Sequence, residues 1–488
     1  MKEGGRKHIS MVRFFRTNTT EHLLSLLRAG QELSLSQQVK LVILLSIPAI
    51  LAQISHVAME YIDASMVGSL GADASASVGI VSTSTWMIWG LCNCAASGFS
   101  VQVAHLVGAR NNHAARSVVR QGLVTTLIFS LVISSIALSV SGGLPRWLGG
   151  GDEICTDATD YFRIVSLCLP VSQMGMLSMG VLRSSGNILV PSLGNIALCL
   201  LDVIFNFLFI YPTRAVEICD LEILIPGAGL GVRGAALGTA TSEVVMCSFL
   251  LWFLFRRSST LRLCNEHGSF RPHKACLVRA AKISFPMGLQ HLVMTSAQVV
   301  GTSIVAPLGK MSIAANSFGV TAESICYMPG FGVADAAQTL VGQSLGAGRK
   351  PLMHNFARVS VGLGMVVMTV MGALMYAGAP FMMSLLTPVD EIRALGVEAL
   401  RIEAFAEPLF AASIVGYGVF VGAGDTLKPC IMNLFSMWAV RLSLAYMLAP
   451  QMGLAGVWTA MCIEICFRGL IFLARLKWGN WDKGVDKK

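Results

Sequence analysis

Charged residues are scarce in this chain. Asp, Glu, Lys and Arg together make up 13% of its 488 residues, whereas hydrophobic residues make up 54%. A soluble domain carries about 25% charged residues, because it must cover its surface with groups that water solvates. The scarcity therefore excludes a soluble enzyme, a disordered scaffold and a secreted disulfide-rich protein. The composition predicts an integral membrane protein.

Motifs that would hold a metal centre are also missing. The 13 cysteines are scattered without a Cys-x-x-Cys pair, and the nine histidines contain no His-Glu-x-x-His pattern. We therefore interpret the cysteines as small buried apolar residues. The net charge of +9 would suggest a nucleic acid partner. Because the Lys and Arg residues lie in short segments between apolar runs, they indicate membrane orientation instead, and we expect no nucleic acid partner.

Twelve apolar runs are long enough to cross a bilayer, since a transmembrane helix needs about 20 predominantly apolar residues. We number them span 1 to span 12 in chain order. The runs are 39–61, 76–100, 121–141, 161–181, 190–211, 232–255, 283–306, 314–340, 359–383, 399–420, 430–449 and 454–475.

Basic residues are distributed unevenly over the two sides of these spans. Of the 36 Lys and Arg residues, 27 fall near the termini and in the loops after even-numbered spans, 7 fall on the other side and two lie within spans. Cytoplasmic loops carry an excess of Lys and Arg, so both termini are predicted to be cytoplasmic, in the plasma (inner) membrane. Residues 1–37 form a predicted cytoplasmic tail, in which leucines among basic residues indicate an interfacial helix; a disordered tail is the alternative.

The chain repeats itself at a constant offset. Residues of the first half recur 238 positions later, and the offset falls to 222 where Gly231 matches Gly453, because the stretch around 213–228 has no counterpart in the second half. A fixed register over several spans is the mark of an internal repeat. The pairs at offset 238 include Pro48 with Pro286, Gly71 with Gly309, Pro170 with Pro408 and Asn195 with Asn433.

Each repeat holds six spans, an even number, so both repeats enter the membrane in the same orientation and are related by an axis along the membrane normal. The sequence predicts an all-α integral membrane protein with twelve transmembrane helices in two six-helix lobes related by a pseudo-two-fold. Two lobes that face each other form a cleft suited to alternating access. The predicted parts are an N-lobe at 38–255, a cytoplasmic basic linker at 256–282, a C-lobe at 283–475 and a cytoplasmic tail at 476–488.

Four segments carry a family resemblance: Ser46–Pro48, Tyr61–Gly71, Leu340–Gly348 and Gly422–Thr426. They resemble the MATE (multidrug and toxic compound extrusion) transporters, over about residues 36–481, and are nearer to the bacterial DinF-like branch than to the NorM-like branch. The resemblance implies a secondary active antiporter, not an enzyme, that exports organic, cationic and amphipathic compounds in exchange for H⁺ or Na⁺. It implies no cofactor beyond that coupling ion.

Acidic residues inside the membrane are costly, by about 2.5–3.5 kcal/mol each, and therefore indicate a site. Asp63 lies on span 1, and Asp202 and Asn206 lie four residues apart on one face of span 5. Together with Thr239 of span 6, these residues resemble the N-lobe cation site of the family, which would bind H⁺ or Na⁺. The family order on span 5 is Asn before Asp, whereas this chain has Asp202 before Asn206. A hydrogen bond that merely ties spans 1 and 5 together is the alternative.

Pro48 interrupts the hydrogen-bonding of span 1, because proline has no N–H, and is the predicted hinge. The resemblance supports this role, since bending of this helix has been proposed within the family. An ordinary membrane-helix kink is the alternative.

The second lobe departs from the Na⁺-coupled branch of the family, in which a Glu and an Asp occupy the positions that Met294 and Phe410 occupy here. Coupling is therefore expected in the N-lobe. The remaining intramembrane polar residues could attract a cationic substrate or could form helix-packing hydrogen bonds. Glu464 and Arg468, four residues apart on span 12, are predicted to form an ion pair. The candidate cleft residues are Glu323, Asp335, Glu403, Glu407, Met294 and His56.

Two other functions stay open at this point. A lipid-linked oligosaccharide flippase of the same superfamily would carry basic residues in its central cavity, but only Arg441 and Arg468 are intramembrane here. An integral-membrane transferase would need clustered His, Asp or Arg at a membrane face, and the sequence has no such cluster. We expect small organic molecules and membrane lipid as partners, and a monomer.

Overall fold

The computed structural model describes residues 17–218, 221–265 and 268–482, and nearly all of them are helical. An amino-terminal helix, Thr17–Arg28, precedes the spans. Shorter elements are the helix Leu144–Trp147, the strands β1 (Pro212–Ile218) and β2 (Leu221–Ala228), and the 3₁₀ turns Leu263–Asn265 and Ala306–Leu308. Spans 1 to 9 are Leu35–Gly68, Ala72–Gly108, Asn112–Val140, Asp152–Ser184, Leu189–Ile210, Val232–Arg256, Lys274–Val305, Lys310–Gly346 and Lys350–Leu386.

The last three spans are irregular. Span 10 consists of Asp390–Glu403 and Glu407–Gly422, which meet at a bend of 62°. Helix Leu427–Phe435 begins span 11, the π-helix Ser436–Arg441 continues it, and Leu442–Trp478 contains the rest of span 11 and all of span 12. Gly453 divides those two spans, since its φ of 60° and ψ of −137° are not helical.

Twelve spans in the described residues confirm the predicted fold class. By length and hydropathy, eight helices could cross a membrane, one of them being 427–478, and the bent pair of span 10 makes nine. Division at Gly453 gives a tenth. Spans 2 and 8, each 37 residues long, complete the set. These two spans are rich in glycine, serine and alanine, the small residues that let membrane helices pack closely.

The backbone repeats in the same register as the sequence. Positive φ angles occur in pairs at equivalent positions, because each pair of loops must turn the chain in the same left-handed way. Gly231 (φ 57°) and Gly453 (φ 60°) occupy one such pair at offset 222. The pairs at offset 238 are Gly71 with Gly309, Arg110 with Gly348 and Gly186 with Gly424.

The inserted stretch of the first half is an antiparallel β-hairpin. Strands β1 and β2 pair from Pro212 with Ala228 to Ile218 with Leu221. Spans 5 and 6 are joined by this hairpin, whereas spans 11 and 12 reverse directly at Gly453. The change of offset from 238 to 222 therefore corresponds to the hairpin.

Each lobe has its own apolar core. Phe99, Leu177 and Leu250 lie in the first, between spans 2, 4 and 6. Leu400 and Trp458 lie in the second, between spans 10 and 12. A continuous apolar interior of this kind positions the polar residues that each lobe encloses.

The amino-terminal helix packs on the protein. Leu23, Leu24 and Leu27 are buried in an apolar cluster that also contains residues of spans 1, 8 and 9. Arg28 donates to the Ser185 carbonyl at 2.7 Å and to Gln343 Oε1 at 3.1 Å. The helix lies within the predicted tail of residues 1–37, and residues 1–16 of that tail lie outside the described residues. The linker between the lobes, predicted at 256–282, is shorter in the structure, because the helix of span 7 already begins at Lys274.

Candidate functional site

The four residues predicted for the N-lobe site come together between spans 1, 5 and 6. Asn206 donates through its side-chain nitrogen to Asp63 Oδ1 and to Asp202 Oδ2, at 2.9 Å in each case. The Thr239 side chain also lies within hydrogen-bonding reach of Asp202. One amide group therefore bridges two carboxylates that arrive from different helices.

The two carboxyl groups of this site also contact each other. The side chains of Asp63 and Asp202 lie within hydrogen-bonding reach of each other. Asp202 and Asn206 are buried, whereas Asp63 is partly exposed. Two carboxylates in contact repel each other, so the pair is stable only with a proton or a metal cation between them. The arrangement of these residues can therefore bind a proton or a metal cation.

The position of Asn206 depends on Gly238 of span 6. A Cβ atom at Gly238 would lie 2.0 Å from Asn206 Oδ1 and 2.8 Å from its backbone nitrogen. That amide oxygen is buried and has no hydrogen-bond partner among the described residues. Carboxylate and amide oxygens are the ligands that a hard cation such as Na⁺ takes. The site thus offers a proton two carboxyl groups, and offers Na⁺ oxygen ligands.

Sequence reasoning missed several members of this region. Ser242 donates to Asp202 Oδ1 at 3.2 Å. Its neighbour Glu243 is buried and hydrogen-bonded by Ser172 of span 4. On span 1, Glu60 was also missed; it lies one turn before Asp63 and 3.6 Å from His56, one of the predicted cleft residues. The spacing of three residues between Thr239 and Ser242, and of four between His56 and Glu60, places each pair on one helix face and was the available signal.

Pro48, the predicted hinge, lies inside the continuous helix of span 1 and is buried. Span 8 passes next to it, since a Cβ atom at Gly332 would lie 2.6 Å from the backbone nitrogen of Ile50. Met294 of span 7 is partly buried and lies 3.6 Å from the side-chain nitrogen of Gln290. The structure thus places Pro48 and Met294 on different spans from Asp202.

The acids of the second lobe fall in two separate places. Asp335 pairs with Arg183 of span 4, at 2.6 Å, across the boundary between the lobes. Glu323, Glu403 and Glu407 are buried inside the C-lobe. In this conformation the three glutamates therefore do not line an open cleft. The predicted ion pair of Glu464 and Arg468 is confirmed, at 3.3 Å.

Where the even-numbered spans end, the lobes meet through symmetric contacts. His105 of span 2 lies 2.8 Å from the carbonyl of Gly422, and Gln343 of span 8 donates to the carbonyl of Ser184 at 2.8 Å. Both residues of the second contact are related to those of the first by the offset of 238. A Cβ atom at Gly346 would lie 1.9 Å from the His105 carbonyl. The lobes are therefore closed against each other at this end, which we name the basic end because the loops after even-numbered spans carry most Lys and Arg residues.

Comparison with known proteins gives one family. The sequence pattern of the MatE family matches residues 48–208 and 286–447. The two matched segments begin 238 residues apart, which is the offset of the internal repeat.

Two curated relatives cover almost the whole chain. One, named Probable multidrug resistance protein NorM, from Thermotoga maritima, is 24% identical over 450 residues, which are 91% of this chain and 93% of the relative. Another protein of that name, from Idiomarina loihiensis, is 27% identical over 446 residues, which are 88% and 92% of the two chains.

A solved structure has the same fold. The crystal structure described as MATE in complex with MaL6 superimposes with a TM-score of 0.83 at 22% identity, over 93% of this chain and 98% of the other. At that identity the likeness establishes the architecture of twelve helices in two lobes.

Proposed function

The chain belongs to the MatE family, and on this premise we propose that it is a secondary active antiporter that exports organic, amphipathic cations in exchange for H⁺ or Na⁺. The single observation that carries the proposal furthest is the contact between Asp63 and Asp202, bridged by Asn206, inside one of two pseudo-symmetric lobes. A coupling ion at this pair changes the charge inside the N-lobe. Such a change can favour one arrangement of the lobes, and a bound organic cation can favour the other.

The closed basic end supports alternating access. The contacts of His105 with Gly422 and of Gln343 with Ser184 are hydrogen bonds between lobes, and the Arg183–Asp335 ion pair adds a charged contact. All of them can break together when the lobes separate at this end. Each charge that crosses the membrane gains about 2.3 kcal/mol per 100 mV, and this free energy contributes to such a change.

Pro48 is our proposed hinge for this change. The proline removes one backbone hydrogen bond from span 1, the helix that also carries Asp63. Span 8 of the opposite lobe packs closely against the adjacent Ile50. A bend at Pro48 would therefore shift Asp63 and the contact between the lobes together.

We place the ion site in the N-lobe and propose a DinF-like rather than a NorM-like character for this chain. The support is that Met294 and Phe410 occupy the acidic positions of the Na⁺-coupled branch. Phe410 packs its ring under the guanidinium group of Arg468, at 5.5 Å from the ring centre. We further propose a plasma-membrane location with both termini in the cytoplasm, a monomer, and contact with membrane lipid.

Transport of a lipid-linked oligosaccharide is the second candidate function. It would be favoured by basic residues in the cleft, but Arg441 donates to methionine sulfurs and Arg468 pairs with Glu464 inside the C-lobe. These contacts leave both arginines occupied within their own lobe. A membrane transferase has no support from the described residues.

The experiment is dye export by the full chain in proteoliposomes, with the pH and Na⁺ gradients varied separately. We expect export to depend on one gradient and to fall about tenfold or more in Asp63→Asn and Asp202→Asn, because each change removes a charged hydrogen-bonding group worth about 1.5–3 kcal/mol. Asp152→Asn, whose side chain is 91% exposed, is the control and should export normally. Full export by both site variants would show that the site is wrong. Movement of a lipid-linked oligosaccharide without dye export would establish the alternative.

A further inference from the structure

The C-lobe encloses a group of charged residues that the proposed mechanism does not use. Glu323 is 5% exposed to solvent, and three further glutamates of the group are fully buried: Glu403, Glu407 and Glu464. Four spans contribute to the group. We name it the C-lobe glutamate cluster, and its members are Glu323, Glu403, Glu407, Arg441, Glu464 and Arg468.

Hydrogen-bond and ion-pair partners are distributed unevenly among the carboxyl groups of the C-lobe glutamate cluster. Glu464 accepts from Ser436 at 2.5 Å and pairs with Arg468. Among the described residues, neither carboxyl oxygen of Glu403 or of Glu407 has a hydrogen-bond partner. Arg441 donates to the sulfur atoms of Met461, at 2.6 Å, and of Met437, at 3.8 Å. In the described part of the chain, Arg441 forms no ion pair with Glu403 or Glu407, which is the arrangement expected of neutral carboxyl groups.

Two irregularities of the backbone meet at this cluster. Glu403 is the last residue of the first half of span 10 and Glu407 is the first residue of the second half, so the bend of 62° lies between them. Pro408 stabilises the break, since it cannot donate to the carbonyl four residues earlier. The π-helix Ser436–Arg441 of span 11 supplies Arg441 to the cluster, and its Ser436 donates to Glu464. Broken membrane helices and π-helices are frequent at ion and functional sites.

The charge of the cluster does not balance if every group is ionised. Four carboxylates and two guanidinium groups leave a net charge of −2, and an uncompensated buried charge in a lobe of this kind is too costly to persist. Two further positive charges are needed. In the part of the chain that the structure describes, no group of three or more His, Cys, Asp or Glu side chains is arranged to hold a metal ion. A proton needs only one oxygen atom, so the geometry suits protons.

We propose that Glu403 and Glu407 form a proton-binding site of the second lobe, separate from the Asp63–Asp202 pair of the first. In this conformation both carboxyl groups are neutral. Loss of a proton would create a buried carboxylate that attracts Arg441 away from its two methionines, and would change the bend of span 10. The titratable or charged groups that face one or both of these carboxyl groups are Glu323, Cys326 and Tyr327 of span 8, Arg441 of span 11, and Cys462 and Glu464 of span 12. Arg468 lies behind Glu464 as its ion-pair partner, and span 9 packs Gly372 against the break.

The test counts protonated carboxyl groups directly and needs no transport. The infrared carbonyl band of protonated carboxyl groups is measured on the full chain in lipid nanodiscs at neutral pH. The starting variant is Asp63→Asn with Asp202→Asn, which removes the two carboxyl groups of the first site. We expect its band to persist, and to lose about two carboxyl groups when Glu403→Gln and Glu407→Gln are added. Glu398→Gln, an exposed residue of the same helix, is the matched control and should leave the band unchanged.

A variant that is expected to enlarge the infrared band, rather than reduce it, keeps the test decisive even if the double Gln variant does not fold. Arg441→Met removes one positive charge, so a third carboxyl group of the cluster must become neutral and the band should gain about one carboxyl group. An unchanged band in the Glu403→Gln and Glu407→Gln variant, or in Arg441→Met, would overturn the proposal. Loss of the band on adding NaCl at constant pH would overturn it in favour of a metal cation. Failure of dye export would leave this measurement unaffected.

Discussion

In the first lobe two aspartates are surrounded by neutral donors, whereas in the second lobe four glutamates share two arginines. Asp202 is satisfied by Asn206 and Ser242. The residue equivalent to Ser242 at offset 222 is Glu464, which accepts a hydrogen bond from Ser436 and pairs with Arg468. Two lobes built on one backbone repeat thus solve the problem of buried charge in different ways. Pseudo-symmetry of the fold does not carry over to the chemistry inside it.

The two lobes also differ in the geometry of equivalent spans. Pro170 of span 4 lies within a continuous helix, and its equivalent Pro408 follows the break of span 10. Glu403 and Glu407 flank that break, and their equivalents in span 4 at offset 238 are Val165 and Leu169. Polar residues therefore accompany the break, whereas apolar residues accompany the continuous helix.

The largest expected effect is on the second lobe, from Arg468→Ala. It would leave Glu464 fully buried with Ser436 as its remaining partner, and breaking a buried ion pair on one side costs about 3–5 kcal/mol. We expect a large drop in the apparent melting temperature in detergent, with recovery in the double variant Glu464→Gln with Arg468→Leu. Arg393→Ala, at a surface pair, is the control. A single variant as stable as the parent chain would contradict the role of the ion pair.

Next in size is Gly238→Ala, which tests the first lobe alone. The added Cβ would collide with Asn206, and overpacking of this kind costs about 1–3 kcal/mol. We expect dye export to fall about tenfold, because the amide bridge between the two aspartates is displaced. The equivalent residue of the second lobe is already alanine, Ala460, so Ala460→Gly is the matched control. It should cost about 1 kcal/mol of helix stability and leave export intact. A larger loss of dye export in Ala460→Gly than in Gly238→Ala would show that export does not depend on the contact between Gly238 and Asn206.

A smaller effect is expected from Ser242→Ala. The change removes one hydrogen bond to Asp202, worth about 1 kcal/mol. Export should then need about a fivefold different concentration of the coupling ion for half-maximal rate. Ser248→Ala, an exposed serine of the same helix, is the control. An unshifted ion dependence would remove Ser242 from the site.

The smallest effects should be identical in the two lobes. Asp152 and Asp390 occupy equivalent positions at the start of spans 4 and 10, are 91% and 94% exposed, and pair with Arg146 and Arg393. Exposed ion pairs contribute less than about 1 kcal/mol, so Asp152→Ala and Asp390→Ala should change the melting temperature slightly and equally. A marked difference would mean that the lobes differ at their surfaces as well as in their interiors.

Much of the N-lobe site could be predicted from the sequence. Asp63, Asp202, Asn206 and Thr239 were identified from intramembrane polarity, helix spacing and family resemblance, and the structure brings them together. Ser242 was missed, because a serine in a membrane helix is common and gives no signal alone. The close contact between Gly238 and Asn206 could not be predicted either, since it depends on how closely spans 5 and 6 approach each other.

The sequence by itself determined the membrane class, the count of twelve spans, the repeat and its offset, and the Glu464–Arg468 pair, because composition, hydropathy and helix periodicity are local properties of the chain. Tertiary structure alone decided which acids are neighbours. Asp335 pairs across the lobes with Arg183, whereas Glu403 and Glu407 have no hydrogen-bond partner in the part of the chain that the structure describes, and Glu403 faces Arg441. Contacts between spans far apart in sequence depend on the bend of span 10 and the packing of spans 8, 11 and 12. No local pattern in the sequence records those angles.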